Sequence, residues 1–148
     1  MPWKLTDGTL NIFTPLIGTW VAQSDSPKGP VMCTRVFTKT LNGQFIEVRT
    51  DWKFPHNSYQ ELGLIGLDEN RFITFWTFDS DGNRAAGRWI KLKQRHPHAF
   101  GFEIEMSHGF TRQIYCPHAK TGFEWTVEMH AGNDWQQLLK HHYKPFDL

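Results

Sequence analysis

Two cysteines in 148 residues are too few for a disulfide framework. Cys33 and Cys116 also lack the paired spacing of a zinc site, so they read as reduced thiols, small buried filler in a cytoplasmic protein. Charge of one sign is missing too. Sixteen Lys and Arg against fifteen Asp and Glu leave a formal charge of +1, and no basic run reaches roughly five residues, which excludes the electrostatic footprint of a nucleic-acid binder. Nor is there an apolar stretch of about 18 residues, and MPWKLTDGTLN at the N-terminus has no apolar signal core. Neither membrane insertion nor secretion is expected. Linkers, repeats and low-complexity blocks are likewise absent, so residues 1–148 are read as one domain.

Aromatic residues, by contrast, are abundant. They make up 15% of the chain, with seven Trp and twelve Phe, enough to fill a core or to line a pocket for a flat apolar ligand. Turn signals recur about every ten residues, among them SPKGP at 26–30, LNG at 41–43, SDGN at 80–83 and PHAKTG at 117–122. Between them lie ten short segments rich in Phe, Trp, Ile, Val and Thr: 18–25, 31–40, 43–54, 58–67, 71–79, 84–94, 99–106, 109–116, 122–130 and 135–143. Phe100, Phe102, Ile104 and Met106 alternate with Gly101, Glu103 and Glu105; Phe123, Trp125, Val127 and Met129 alternate with Glu124, Thr126, Glu128 and His130. Period two of this kind gives each strand one apolar and one polar face. Ten meandering strands would expose two edges as an open sheet, and closure removes them. The expected architecture is all-β, a ten-stranded antiparallel up-and-down barrel. Residues 7–16 can add a short N-terminal lid, with Asp7 as an N-cap and Pro15 disfavouring helix at Thr14.

The ordered set Leu16-Ile-Gly-Thr-Trp20, Leu41-Asn-Gly-Gln-Phe-Ile46, Ile65-Gly-Leu-Asp68 and Phe75-Trp-Thr-Phe-Asp-Ser-Asp-Gly82 resembles a bacterial lipocalin-like family of the calycin superfamily. Gly18-x-Trp20 is similar to the Gly-x-Trp signature shared by lipocalins, fatty-acid-binding proteins and nitrobindins. The resemblance spans roughly residue 10 to the end and implies a calycin barrel, which at about eight to ten strands is either hollow or filled by side chains. Physically, Gly18 lets the backbone approach closely and Trp20 closes one end of the barrel.

Strand connectivity divides the histidines between two ends, His56, His108 and His130 at one, His96, His98, His118, His141 and His142 at the other. His96-Pro-His98 reads as a solvated turn. The last strand is more informative. Trp135, Gln137, Leu139, His141 and Tyr143 are expected on one face, pointing inward, with Gln136, Leu138, Lys140 and His142 outward. The expected function is binding of a small hydrophobic molecule in an aromatic-lined cavity, with His141, Tyr143, Trp20, Trp76 and Trp125 as contacts. The resemblance adds two variants. Fatty-acid-binding proteins carry Arg-x-Tyr on the last strand to hold a carboxylate, where this chain has His141-His142-Tyr143; nitrobindins ligate haem from a His on the last strand, making His141 and His142 candidate haem ligands. The alternative is an enzyme using the cavity for acid–base chemistry, with His141, Tyr143 or a Glu carrying the proton. Glu103, Glu105, Glu124 and Glu128 are expected on the outer surface. No triad, nucleophile elbow or phosphate loop is present. The protein is expected to be a monomer or homodimer without nucleic-acid or membrane partners.

Overall fold

The computed structural model describes residues 10–106 and 109–146. Asp7, the expected N-cap, and His108 lie outside the described residues. Ten strands follow one another in sequence: β1 (Gly18–Ser26), β2 (Gly29–Thr40), β3 (Phe45–Lys53), β4 (Ser58–Leu67), β5 (Ile73–Asp79), β6 (Arg84–Lys91), β7 (Phe100–Met106), β8 (Gly109–Pro117), β9 (Phe123–Ala131) and β10 (Asp134–Pro145). Each pairs antiparallel with the next, and β1 pairs with β10 to close the barrel. That closing seam is short, Trp20 opposite Pro145 and Val21 opposite Lys144. The expected all-β barrel is what forms, and a closed ten-stranded antiparallel barrel is consistent with a calycin-like fold.

The expected strand over 84–94 stops at Lys91. The chain there turns back on itself, with the amides of Arg95 and His96 donating to the Leu92 carbonyl and that of Ala99 to His96. This loop lies on the outer wall, where Leu92 and Ala99 cover Ile114. Arg95 and Arg112 both meet Glu128, which is 5% exposed. Glu128 is therefore outside the barrel, as period two predicts, yet buried. Burial works against its charge, but the two arginines hold its carboxyl below the usual range.

Among the described residues, a stretch of three-residue-per-turn helix precedes the barrel. It spans Leu10–Leu16 and tolerates Pro15 because this tighter turn makes few internal hydrogen bonds. It is the expected short lid, and its side chains plug the end of the barrel. Phe13 and Leu16 are fully buried, and the Phe13 ring meets Phe100 at 5.4 Å and Phe102 at 6.2 Å. The Trp20 indole N–H donates to the Leu16 carbonyl at 2.8 Å, tying plug to first strand. Phe37, Phe100, Phe102 and Phe123, all within 1% of complete burial, fill the rest of this half with edge-to-face contacts. Close packing needs Gly63 on β4, where a Cβ would stand 2.3 Å from the Phe75 ring. The plugged half is solid.

Candidate functional site

The other half is open. A cavity of about 400 Å³ lies among the inward residues of β4 to β8, including Glu61, Thr77, Asp79, Ala85, Thr111 and Gln113. Grooves of about 590 and 540 Å³ run along the outside of the β1–β2 hairpin, and neither is lined by the interior polar groups described next.

Between the solid half and this mouth sits a polar layer. Val31, Cys33, Arg35 and Phe37 share the inward face of β2, so period two carries a guanidinium into the barrel, where Arg35 is 2% exposed. Its Nη1 donates to the Tyr115 hydroxyl on β8 at 2.7 Å. The guanidinium carbon lies 4.2 Å from the centre of the Trp125 ring on β9 and 5.0 Å from that of the Tyr143 ring on β10, a cation–π arrangement strengthened by exclusion of water. His141 stands beside them, its ring 5.0 Å from Trp52 and 5.8 Å from Trp125. The Trp52 indole N–H donates to Glu61 at 2.9 Å, which links this layer to the mouth, since Glu61 lines both.

The layer is poorly satisfied from within the protein. Arg35 Nε and Nη2, Trp125 Nε1, His141 Nδ1 and the Tyr143 hydroxyl are buried and meet no hydrogen-bond partner there. Tyr143 lies near enough to Arg35 and Cys33 for their titrations to influence one another, but its hydroxyl meets neither in hydrogen-bonding geometry. Among the described residues no carboxylate forms an ion pair with Arg35; the ion pairs found are Arg49–Glu47, Arg95–Glu128, Arg112–Glu128 and Lys140–Glu124. Buried polar groups are ordinarily partnered, so this cluster of exceptions sets the layer apart from the rest of the interior.

Titration follows from burial. Arg35 stays protonated: burial opposes the charge, but the neighbouring Tyr115, Tyr143 and Glu61 favour it more. His141 is pulled down to about 4, first by burial and then by the charge of Arg35, so it is neutral at pH 7. Cys33 is pushed up to about 11 by burial, and Tyr115 and Tyr143 rise for the same reason.

Of the sequence-predicted contacts, His141, Tyr143 and Trp125 come together in this layer. Trp20 lines the plugged half instead, against Phe123 at 5.0 Å. Trp76 does not join them. It sits opposite Leu64 and Ala86, on the face away from buried Phe75, and its ring meets Phe45 at 6.3 Å. Two adjacent aromatics, Phe75 and Trp76, leave the period ambiguous at this point of β5. The last strand also departs from strict alternation. Its register shifts between Gln137 and Leu139, so Trp135 turns outward to His130 and to Arg112, 4.9 and 4.1 Å away, and of the five residues expected inward Leu139, His141 and Tyr143 face in.

His142 points outward, stacked on His118 at 3.8 Å with its Nε2 on the Thr121 carbonyl at 2.8 Å. The sheet separates it from His141. A haem held by this pair does not fit, and His141 alone is flanked by the two indoles where a macrocycle would have to lie. The described residues contain no group of three or more His, Cys, Asp or Glu able to hold a metal ion, and no described helix is long and apolar enough to cross a membrane. Comparison with protein-family models, curated proteins and solved structures returns no match.

Sequence reasoning missed Arg35 and Tyr115. The signal for Arg35 was present: in Val31-x-Cys33-x-Arg35-x-Phe37 a charged residue occupies the apolar register of a strand.

Proposed function

We propose that the protein is a calycin-type barrel that binds a small apolar molecule in its open half. One observation carries this reading: the five unpartnered polar atoms around Arg35, His141 and Tyr143 lie in a ring-walled layer beneath a mouth of about 400 Å³. Aromatic walls with a few convergent polar groups are the usual make-up of a small-molecule site. An orphaned polar layer costs stability if nothing ever occupies it, and unpartnered groups retained at such a cost support a ligand. Acid–base catalysis is the weaker alternative. With His141 near 4, Cys33 near 11 and both tyrosines raised, none of these buried groups titrates close to neutrality, where a general acid or base works best.

The test is a titration with 2-naphthalenemethanol, a small neutral aromatic, followed by the indole N–H resonances of the labelled protein. Movement of the Trp52 and Trp125 signals is expected. Shifts confined to outward Trp76 and Trp135, or none at all, would refute binding inside the barrel.

A further inference from the structure

We infer that the ligand of the open half is a small aromatic carboxylate, seated by its carboxylate on the free edge of Arg35. This rests on the binding reading above and adds the ligand's charge, shape and size.

The charge follows from the balance of protons and partners. Of the five unpartnered atoms, Arg35 Nε, Arg35 Nη2, Trp125 Nε1 and the Tyr143 hydroxyl each carry a proton to donate. The acceptors close by are few: the Tyr115 hydroxyl is already taken by Nη1, and the Tyr143 hydroxyl, though beside Arg35, meets it outside hydrogen-bonding geometry. Glu61, the acidic group that acts on Arg35, is engaged by the Trp52 indole and makes no ion pair with the guanidinium. A buried positive charge with surplus donors calls for an anionic acceptor.

The shape follows from which edge is free. Nε and Nη2 are the two nitrogens on one side of the guanidinium, so their N–H bonds run parallel. That edge matches the two oxygens of a planar carboxylate. Nη1, on the other side, is held by Tyr115, and Cζ lies 4.2 Å from the centre of the Trp125 ring. The guanidinium is thus fixed, and one edge is left over.

The size follows from the two halves. Phe13, Phe37, Phe100, Phe102 and Phe123 fill the plugged half, so a long acyl chain has nowhere to extend behind Arg35. Forward of it stand the rings of Trp52, Trp125 and His141, with centroids 5.0–6.0 Å apart, and then the mouth. These three rings touch one another, so a flat ligand seats among them only by parting them and then stacks on their faces. The Arg35 edge has no direct exposure, so entry of the ligand requires a ring of this layer to move, and Trp52 is the partly buried one, joined to mouth-lining Glu61.

The experiment compares 2-naphthoate, neutral 2-naphthalenemethanol of the same size, 2-naphthyl phosphate and palmitate by calorimetry on the full chain. Naphthoate is expected to bind at least about tenfold more tightly than the alcohol, and Arg35→Met is expected to remove that preference, the acid losing more affinity than the alcohol. A second measurement needs no variant: the carboxyl carbon resonance of bound labelled naphthoate should titrate below its value in free solution, because Arg35 favours the ionised form. Equal binding of acid and alcohol, or a bound carboxyl that titrates higher than the free one, overturns the inference and leaves the binding reading standing. Tighter binding of the phosphate overturns the planar head group, and tighter binding of palmitate overturns the size. If none of the four binds, the binding reading itself fails.

Discussion

Acidification should destabilise this protein through His141 in a way one variant can isolate. The imidazole is 5% exposed, between Trp52 and Trp125 and next to the fixed charge of Arg35. The unfolded chain takes up this proton near pH 6.5, the folded protein only near pH 4. Between those values the unfolded state holds more protons, so stability falls as pH drops from about 6.5 to about 4. Above 6.5 His141 is neutral in both states and adds no slope. A separation of about 2.5 pH units at about 1.36 kcal/mol each caps the loss at about 3 kcal/mol, a large part of a typical domain's stability. Urea unfolding followed by tryptophan fluorescence between about pH 4 and 7.5 measures it. His141→Gln should be less stable at neutral pH, because its amide packs less well against two indoles, yet its stability should fall more gently on acidification. The difference between the two slopes belongs to His141, since His118 and the other histidines are common to both proteins. Parallel slopes would refute the placement of His141 as a buried neutral group beside Arg35.

Gly122→Ala should lower stability by about 2 kcal/mol or more, since φ there is +66° and a Cβ would stand 1.9 Å from the Tyr143 carbonyl oxygen. An unchanged thermal midpoint would contradict the close approach of that turn to β10. Glu128→Gln should cost about 2 kcal/mol, less than a fully buried pair because the Arg95 side chain is 36% exposed while that of Arg112 is 14% exposed. It should also speed amide exchange at Arg95 and Ala99, whose loop the carboxylate pins; unaltered exchange there would show that Leu92 and Ala99 hold the loop unaided.

Period two is visible in a bare sequence because a strand alternates its side chains by covalent geometry, whatever lies beyond it. This is why the two runs around Phe102 and Trp125 assigned their faces correctly, and why turn residues at regular spacing were enough to count ten strands. The same rule failed at two points for local reasons. At Phe75-Trp76 both candidate faces are aromatic, and in β10 a register shift after Gln137 reverses the faces upstream of it. The shift depends on pairing with β9, which no single strand encodes. The candidate site was half visible. His141 and Tyr143 could be assigned inward from their own strand, and Arg35 stood in an apolar register for anyone counting by twos. What the sequence could not supply is the meeting of β2, β8, β9 and β10 around one guanidinium. Arg35 and Tyr115 are 80 residues apart, and only closure of the barrel brings them to 2.7 Å. Closure also decides which end the Leu10–Leu16 plug fills and which stays open, because that depends on rings from distant strands packing on Phe13.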